Sequence, residues 1–185
     1  MSNTLSSCQM RSPLSLPLLA RLDAHDRALL ARLVLAGGRA QSSCRTWRAL
    51  THLGGTRFSI AVTFALLAFA PDDVEFFLRA ALALTLSHLM VRCIKRHAER
   101  ARPTESMTFD ALVVVPDKFS FPSGHACAAM SVAIFYSVQY PAWGPLIFLL
   151  AFIVGTSRIA LGVHYPGDVL AGQLIAIVVG FVLMV

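Results

Sequence analysis

The sequence predicts an all-α protein: a polytopic membrane helix bundle of about five transmembrane helices, preceded by an N-terminal amphipathic surface helix. Three observations carry this reading. Of 185 residues, 56% are hydrophobic and only 14% charged, against roughly 25% charged in a soluble domain. The mean hydropathy is +0.66. Long apolar runs alternate with short turns such as Pro71-Asp72-Asp73 and Pro141-Ala142-Trp143-Gly144-Pro145. There is no internal repeat and no second globular domain, which fits a chain of this length.

Residues 1–17 are rich in Ser and Pro and are expected to be disordered. Residues 14–20 are apolar but short and interrupted by Pro17, so they do not read as a signal peptide. From Asp23 the pattern turns helical. Asp23 caps, Asp26 lies in the first turn, Leu22, Leu29, Leu30 and Leu33 share one face, and Gly37-Gly38 ends the run. This is the pattern of a helix lying in a membrane surface; a soluble helix packed on its own domain is the alternative. Arg39, Arg45, Arg48 and Arg57 mark a basic link. Residues 1–52 therefore form an N-terminal region, and 53–185 a membrane-embedded domain.

The first crossing is expected over 53–70, with Arg57 snorkelling to the headgroups, and the second over 74–94. Past residue 94 the second helix turns polar. His88, Arg92, Lys95, Glu99 and Arg102 recur at alternating spacings of four and three, one face of a helix that Pro103 stops. A polar stripe on a membrane helix faces the bundle interior or a water-filled cavity. On that stripe Glu99 is placed to pair with both Lys95 and Arg102; a solvated helix end is the plainer alternative. A loop follows over 104–122, in which the apolar run 112–115 is suited to dip into the interface or cover a site. The remaining crossings are expected over 124–140, 146–160 and 169–185, with Tyr140 and Trp143 as interfacial aromatics.

Three polar clusters interrupt this apolar pattern. Lys95 and Arg102 are seven residues apart, two helical turns, so both cations point the same way. A juxtamembrane patch touching headgroups would read the same. Pro122-Ser123-Gly124-His125 opens the third crossing. Ser123 is an N-cap candidate, Gly124 admits close backbone approach, and free N–H groups at a helix start bind anions. His125 stands beside that anion as a proton donor. Arg158, His164 and Asp168 follow at spacings of six and four. A carboxylate on one imidazole nitrogen fixes the tautomer and leaves the other to attack, and an arginine fork suits phosphate oxygens. A structural His beside an Asp is the plainer alternative. With alternating crossings, the end of the second helix, the start of the third and the fourth-to-fifth connection all fall on one side of the membrane. Together the groups point to phosphoryl transfer through a phosphohistidine.

Lys95-(six residues)-Arg102-Pro103, Pro122-Ser123-Gly124-His125, and Ser157-Arg158-(five residues)-His164-(three residues)-Asp168 resemble the three-part signature of the type 2 phosphatidic acid phosphatase family. That family includes membrane lipid phosphatases and shares its site with vanadium haloperoxidases. The match spans Lys95 to Asp168, in order and complete at the signature positions; residues 1–57 have no part in it. The resemblance implies that His164 is the nucleophile, Asp168 its orienting partner and His125 the general acid and base. It implies that Lys95, Arg102, Ser123, Gly124 and Arg158 bind the phosphate. Many members have six membrane helices, one more than expected here.

The implied substrate is a membrane lipid phosphate: phosphatidate, phosphatidylglycerophosphate, or a polyprenyl phosphate or diphosphate. Alternative functions are vanadate-dependent halide oxidation, disfavoured by the small apolar chain, and non-catalytic lipid binding or transport, disfavoured by the full residue set. No carboxylate cluster reads as a Mg²⁺ site and no cysteine pair as a zinc site, so the expectation is no cofactor and no metal. The net charge of +6 does not indicate nucleic acid, because the basic residues are not interleaved with exposed aromatics. The bilayer is the expected partner, and no feature specifies an oligomeric state. Arg21, Arg27, Arg32, Arg39, Arg45, Arg48, Arg57, Arg96, Arg100 and Lys118 fall on the site's side, and Asp72, Asp73 and Glu75 on the other. Lys and Arg in short loops favour the cytoplasm, so a cytoplasm-facing site in the cell membrane is expected.

Overall fold

A computed structural model describes residues 17–34, 41–69, 72–107, 112–113 and 117–184. The described residues form eight α-helices and one 3-10 turn. They are α1 (Pro17–Leu33), α2 (Gln41–His52), α3 (Thr56–Phe69), α4 (Val74–Ala98), α5 (Pro103–Ser106), α6 (Gly124–Gln139), the 3-10 turn Pro141–Trp143, α7 (Gly144–Ala160) and α8 (Pro166–Met184). The expected all-helical class stands, and so does the multi-pass character. Three stretches are long and apolar enough to cross a membrane: Val74–Ser106, Pro141–Ala160 and Pro166–Met184. A fourth is added if Cys44–His52 and Thr56–Ala68, bent by 49°, form one span. By helix length alone the count is three or four, not five. The reason is that α3 has 14 residues and α6 has 16, short of the ~20 that cross the hydrocarbon.

The centre of the bundle is α6, packed on α4, α7 and α8. Its buried face is mostly small: Ala126, Cys127, Ala128, Ala129, Ser131 and Ala133, with Met130 and Phe135. Lipid offers helices no hydrophobic reason to associate, so small residues that bring backbones together do the packing. Gly172 of α8 carries this furthest: a Cβ there would stand 2.4 Å from the Ser123 carbonyl oxygen. Outside this core, Phe64, Leu78, Leu82, Leu149, Leu174 and Phe181 are exposed on α3, α4, α7 and α8, as lipid-facing positions should be.

Four local expectations are corrected. First, α1 begins at Pro17 rather than Asp23, so Asp23 and Asp26 are mid-helix and pair with arginines instead of capping. Pro at a first helical position loses no bond the helix would have made. Residues 1–16 and Gly37-Gly38 lie outside the described residues. Second, the apolar stripe of α1 splits: Leu30 is buried with Ile159 and Tyr165, while Leu22, Leu29 and Leu33 stay exposed. Third, the basic link contains helix α2, packed on α7.

Fourth, α4 ends at Ala98, where Glu99 takes a left-handed conformation (φ 44°). Arg102 is therefore off the helix, and Pro103 begins α5 instead of stopping α4. The seven-residue periodicity does not align Lys95 with Arg102. Their convergence comes from the turn at 99–102. Of the 112–115 run, Leu112 lies on the site side: its N–H donates to the Leu161 carbonyl, and its carbonyl accepts from Arg48 Nε at 2.7 Å. Val114 and Val115 lie outside the described residues.

The close α6–α8 approach generates a test. Gly172→Ala forces a methyl group against a backbone oxygen that cannot move independently. It is expected to cost about 1–3 kcal/mol, read as a lower midpoint of thermal unfolding in detergent. Gly144→Ala meets only Ser137 Cβ at 3.6 Å and is expected to leave the midpoint unchanged.

Candidate active site

The carbonyl end of α7, the turn before α8, the start of α6, the end of α4 and the 117–120 loop enclose one cavity of about 730 Å³. Lys95, Arg102, Gly124, His125, Arg158 and His164 line it, together with Asp117 and Gly54. Six of the eight sequence-predicted site residues therefore meet in one space. The other two, Ser123 and Asp168, sit directly behind the wall, both fully buried.

His164 is placed by the end of α7. The Leu161 N–H closes the last helical turn on Ser157, and Gly162 adopts φ 73°, a left-handed value that suits glycine. The N–H groups of Val163 and His164 then both reach the Arg158 carbonyl, at 3.1 and 3.3 Å. This compact turn sets His164 beside Arg158. Asp168, in the first turn of α8, has its Oδ2 at 2.9 Å from the Tyr165 N–H and 3.5 Å from His164 Nδ1. The latter distance is long for a hydrogen bond, and such contacts tighten when substrate is bound. Burial comes first in lowering the His164 pKa, reinforced by the charges of Arg158 and Arg102 against the opposing pull of Asp168; it is held down to about 4. At neutral pH the ring is unprotonated, the form that can attack.

Each buried cation has a fixed acceptor. Arg102 donates from Nη1 to the Val163 carbonyl at 2.7 Å and from Nε to the Asp117 carbonyl at 3.0 Å. Lys95 Nζ donates to the Phe119 carbonyl at 2.8 Å. Arg158 Nη1 donates to Thr51 Oγ1 at 2.6 Å, so α2 supports the site. Gly54, at the α2–α3 turn, has no room for a Cβ, which would lie 2.8 Å from the His125 carbonyl oxygen. That turn therefore closes directly over the start of α6.

Ser123 occupies the N-cap position of α6 but its side chain makes no capping bond. Its N–H donates to the Asp168 carbonyl at 2.9 Å, which ties α6 to α8. Among the described residues, the buried atoms Ser123 Oγ, Arg158 Nε and His164 Nδ1 have no hydrogen-bond partner. Buried polar atoms are rarely left so. His164 Nδ1 faces Asp168 at 3.5 Å; the other two, Ser123 Oγ and Arg158 Nε at the cationic cavity, suit an anion rich in acceptor oxygens, which a phosphoryl group supplies.

Of the two readings of Glu99 the solvated one holds, and sequence reasoning missed three residues. Glu99 is exposed in its turn and makes no ion pair with Lys95 or Arg102 among those found. Asp117 takes that role: Oδ2 is 2.9 Å from Lys95 Nζ, and Oδ1 contacts Arg102 Nη2. Burial pushes the Asp117 carboxyl up, but the hydrogen bond and charge of Lys95 and the charge of Arg102 prevail and hold it below the usual range. Thr51 and Arg100 were also missed. None of the three is a signature position: Thr51 and Asp117 come from other chain segments, and Arg100 is one of the six unspecified residues between Lys95 and Arg102.

The sequence model described as PAP2 superfamily matches residues 76–185. A decaprenylphosphoryl-5-phosphoribose phosphatase of Mycobacterium tuberculosis is 34% identical over 137 residues, covering 73% of this chain and 75% of that protein. Two solved structures align with a TM-score of 0.73 and 26% identity. The PAP2-type phosphatidylglycerolphosphate phosphatase of Bacillus subtilis covers 89% of this chain and 85% of its own. LpxE of Aquifex aeolicus covers 87% and 93% respectively.

Asp117 holds the two cations that an anionic ligand needs. Asp117→Asn removes the competing charge from a half-exposed pair, so it is expected to tighten competitive inhibition by inorganic phosphate about threefold to tenfold. The check is the inhibition constant of both proteins in the same detergent at pH 7.

Proposed function

The chain belongs to the PAP2 superfamily and is a membrane phosphatase of that class, and from this premise we propose that it hydrolyses a lipid phosphomonoester or diphosphate through a phosphohistidine on His164. One observation carries the proposal. The cavity is lined both by Lys95, Arg102, Arg158, His125 and His164 and by the apolar side chains Ile60, Leu84, Leu89 and Val91. A ligand that suits such a lining has a phosphate head and a lipid tail.

In the first step His164 Nε2 attacks phosphorus and the bond to the leaving oxygen breaks. His125 gives that oxygen its proton, while Asp168 stabilises the imidazolium. In the second step water attacks phosphorus, His125 takes its proton, and the P–N bond breaks to release inorganic phosphate. Lys95, Arg102, Arg158, the Ser123 hydroxyl and the Gly124 N–H hold the non-bridging oxygens. Charged hydrogen bonds of this kind are worth roughly 1.5–3 kcal/mol each, a scale on which three cations replace a metal ion. The relative's substrate adds a polyprenyl-linked sugar phosphate to the candidate lipids.

The bundle is proposed to cross the bilayer five times, through α3, α4, α6, α7 and α8, with α1 in the membrane surface. Support comes from the exposed leucines and phenylalanines on α3, α4, α7 and α8, and from α6, whose burial spares it a lipid-facing length. Residues 1–52 then form a surface region and 53–185 the membrane domain. The site is proposed to face the cytoplasm of the cell membrane, on the side that holds the arginines of α1 and α2.

Phosphate release from these lipids is expected for the wild type and absent for His164→Ala. His125→Ala is expected to lose about 10²–10⁴-fold on lipid phosphates but much less on p-nitrophenyl phosphate, whose leaving group needs no proton. Equal losses on both would remove the general-acid role. Activity is expected to survive EDTA; dependence on added Mg²⁺ would overturn the three-cation account. For orientation, Asp72→Cys and Thr108→Cys are placed singly in a cysteine-free background of intact cells. An impermeant thiol reagent is expected to label position 72 and spare position 108; the reverse pattern puts the site outside.

A further inference from the structure

One partly buried cluster of charge lies next to the site without lining its cavity. Arg100 stands in the turn between α4 and α5. Its Nη1 donates to Asp168 Oδ1 at 2.6 Å. Its Nη2 lies 2.9 Å from Asp23 Oδ1 and 2.8 Å from Asp26 Oδ2, both on α1. The guanidinium carbon sits 4.0 Å from the centroid of the Tyr165 ring. Asp26 also reaches α8 directly: its Oδ1 accepts from the Gly167 N–H at 2.7 Å. A Cβ on Gly167 would fall 2.9 Å from Asp26 Oδ2, so a side chain there would displace that carboxylate from its place.

We propose that Arg100 is a positioning residue for the His164–Asp168 pair, and that α1 belongs to the catalytic arrangement because Asp23 and Asp26 hold Arg100 in place. The proposal rests on the phosphatase reading above.

The Asp168 side chain is wholly buried. Its Oδ2 is occupied by the Tyr165 N–H and faces His164. Its Oδ1 is held by Arg100. A buried carboxylate that loses its ion partner is strongly destabilised. It relieves this by rotating towards another donor or by taking a proton. Rotation moves Oδ2 away from His164, and protonation removes the charge that stabilises the imidazolium. Either route costs His164 its orientation without touching the phosphate.

Arg100 needs holding because its side chain is partly exposed, at 23%, and one carboxylate leaves a guanidinium free to pivot. Asp23 and Asp26 lie three residues apart and so share a face of α1. With the Tyr165 ring against the guanidinium, they fix both its position and its plane. Arg27 pairs with Asp23 at 2.7 Å, which keeps that carboxylate turned towards the cluster. An N-terminal helix outside the three motifs thus acts on the nucleophile through two intermediates.

The test uses the full chain in detergent on the lipid that the wild type turns over best. Arg100→Gln is expected to lower kcat about 10- to 100-fold, the range for a lost charged hydrogen bond, with KM within about twofold. Arg100→Lys restores the charge and is expected to recover part of that kcat. Asp26→Asn touches neither cavity nor phosphate and is expected to lower kcat about three- to tenfold, again with KM held. An unchanged kcat in Arg100→Gln overturns the assignment. So does a raised KM with kcat held, which would make Arg100 a phosphate ligand. Lysine no better than glutamine removes the electrostatic account, and an unchanged Asp26→Asn removes α1 from it. If Arg100→Gln fails to accumulate, the lysine and Asp26 variants decide. Wild type and His164→Ala run alongside: no wild-type turnover overturns the phosphatase reading itself, whereas wild-type turnover with a normal Arg100→Gln overturns the Arg100 assignment alone.

Discussion

The structure depends on keeping one carboxylate charged where water does not reach. Asp168 has no exposed surface, and an isolated buried carboxylate would neutralise rather than stay ionised. The fold gives it the Tyr165 N–H, the Arg100 guanidinium and the His164 ring. The Tyr165 N–H and the His164 ring come from neighbouring residues of the turn between α7 and α8, and Arg100 from the turn after α4. The main chain of Asp168 adds a fourth tie, accepting the Ser123 N–H at the start of α6. Satisfying one residue therefore fixes the relative placement of α4, α6, α7 and α8.

The cations pose the opposite problem. Lys95, Arg102 and Arg158 are all buried around one cavity, and like charges in a low-dielectric space repel strongly. Backbone carbonyls of Val163, Asp117 and Phe119, the Thr51 hydroxyl and the Asp117 carboxylate spread that charge. Fixed acceptors also stop the long side chains from searching other rotamers. A phosphoryl group then meets donors already aimed, which is the condition under which electrostatic stabilisation is most effective. The same arrangement weakens the use of net charge to infer topology. Arg100, counted as a loop cation, is committed to Asp168. Arginines on the site's side answer to chemistry as well as to membrane orientation.

The apolar composition and the three motifs were legible because each is local. Hydrophobic runs betray membrane helices residue by residue, and α4, α7 and α8 appear close to where the pattern put them. The motif spacings bring the site residues together because each motif sits at a helix end. The helical stripe failed for a local reason too: periodicity says which residues would share a face if the helix continued, and it ends at Ala98. Glu99 therefore turned out exposed, and Asp117, eighteen residues further on, pairs with both cations.

By itself, then, the sequence determined the class of fold and picked out polar residues that the fold gathers at one cavity. Those properties follow from side-chain chemistry and short-range spacing, which a linear pattern records. Only the tertiary structure decided what supports them: Thr51 behind Arg158, Asp117 between Lys95 and Arg102, and Asp23 and Asp26 of α1 on Arg100. These contacts join residues 15 to 107 positions apart. They depend on how helices pack and where turns send the chain, and no periodicity in the sequence encodes a pairing of that range.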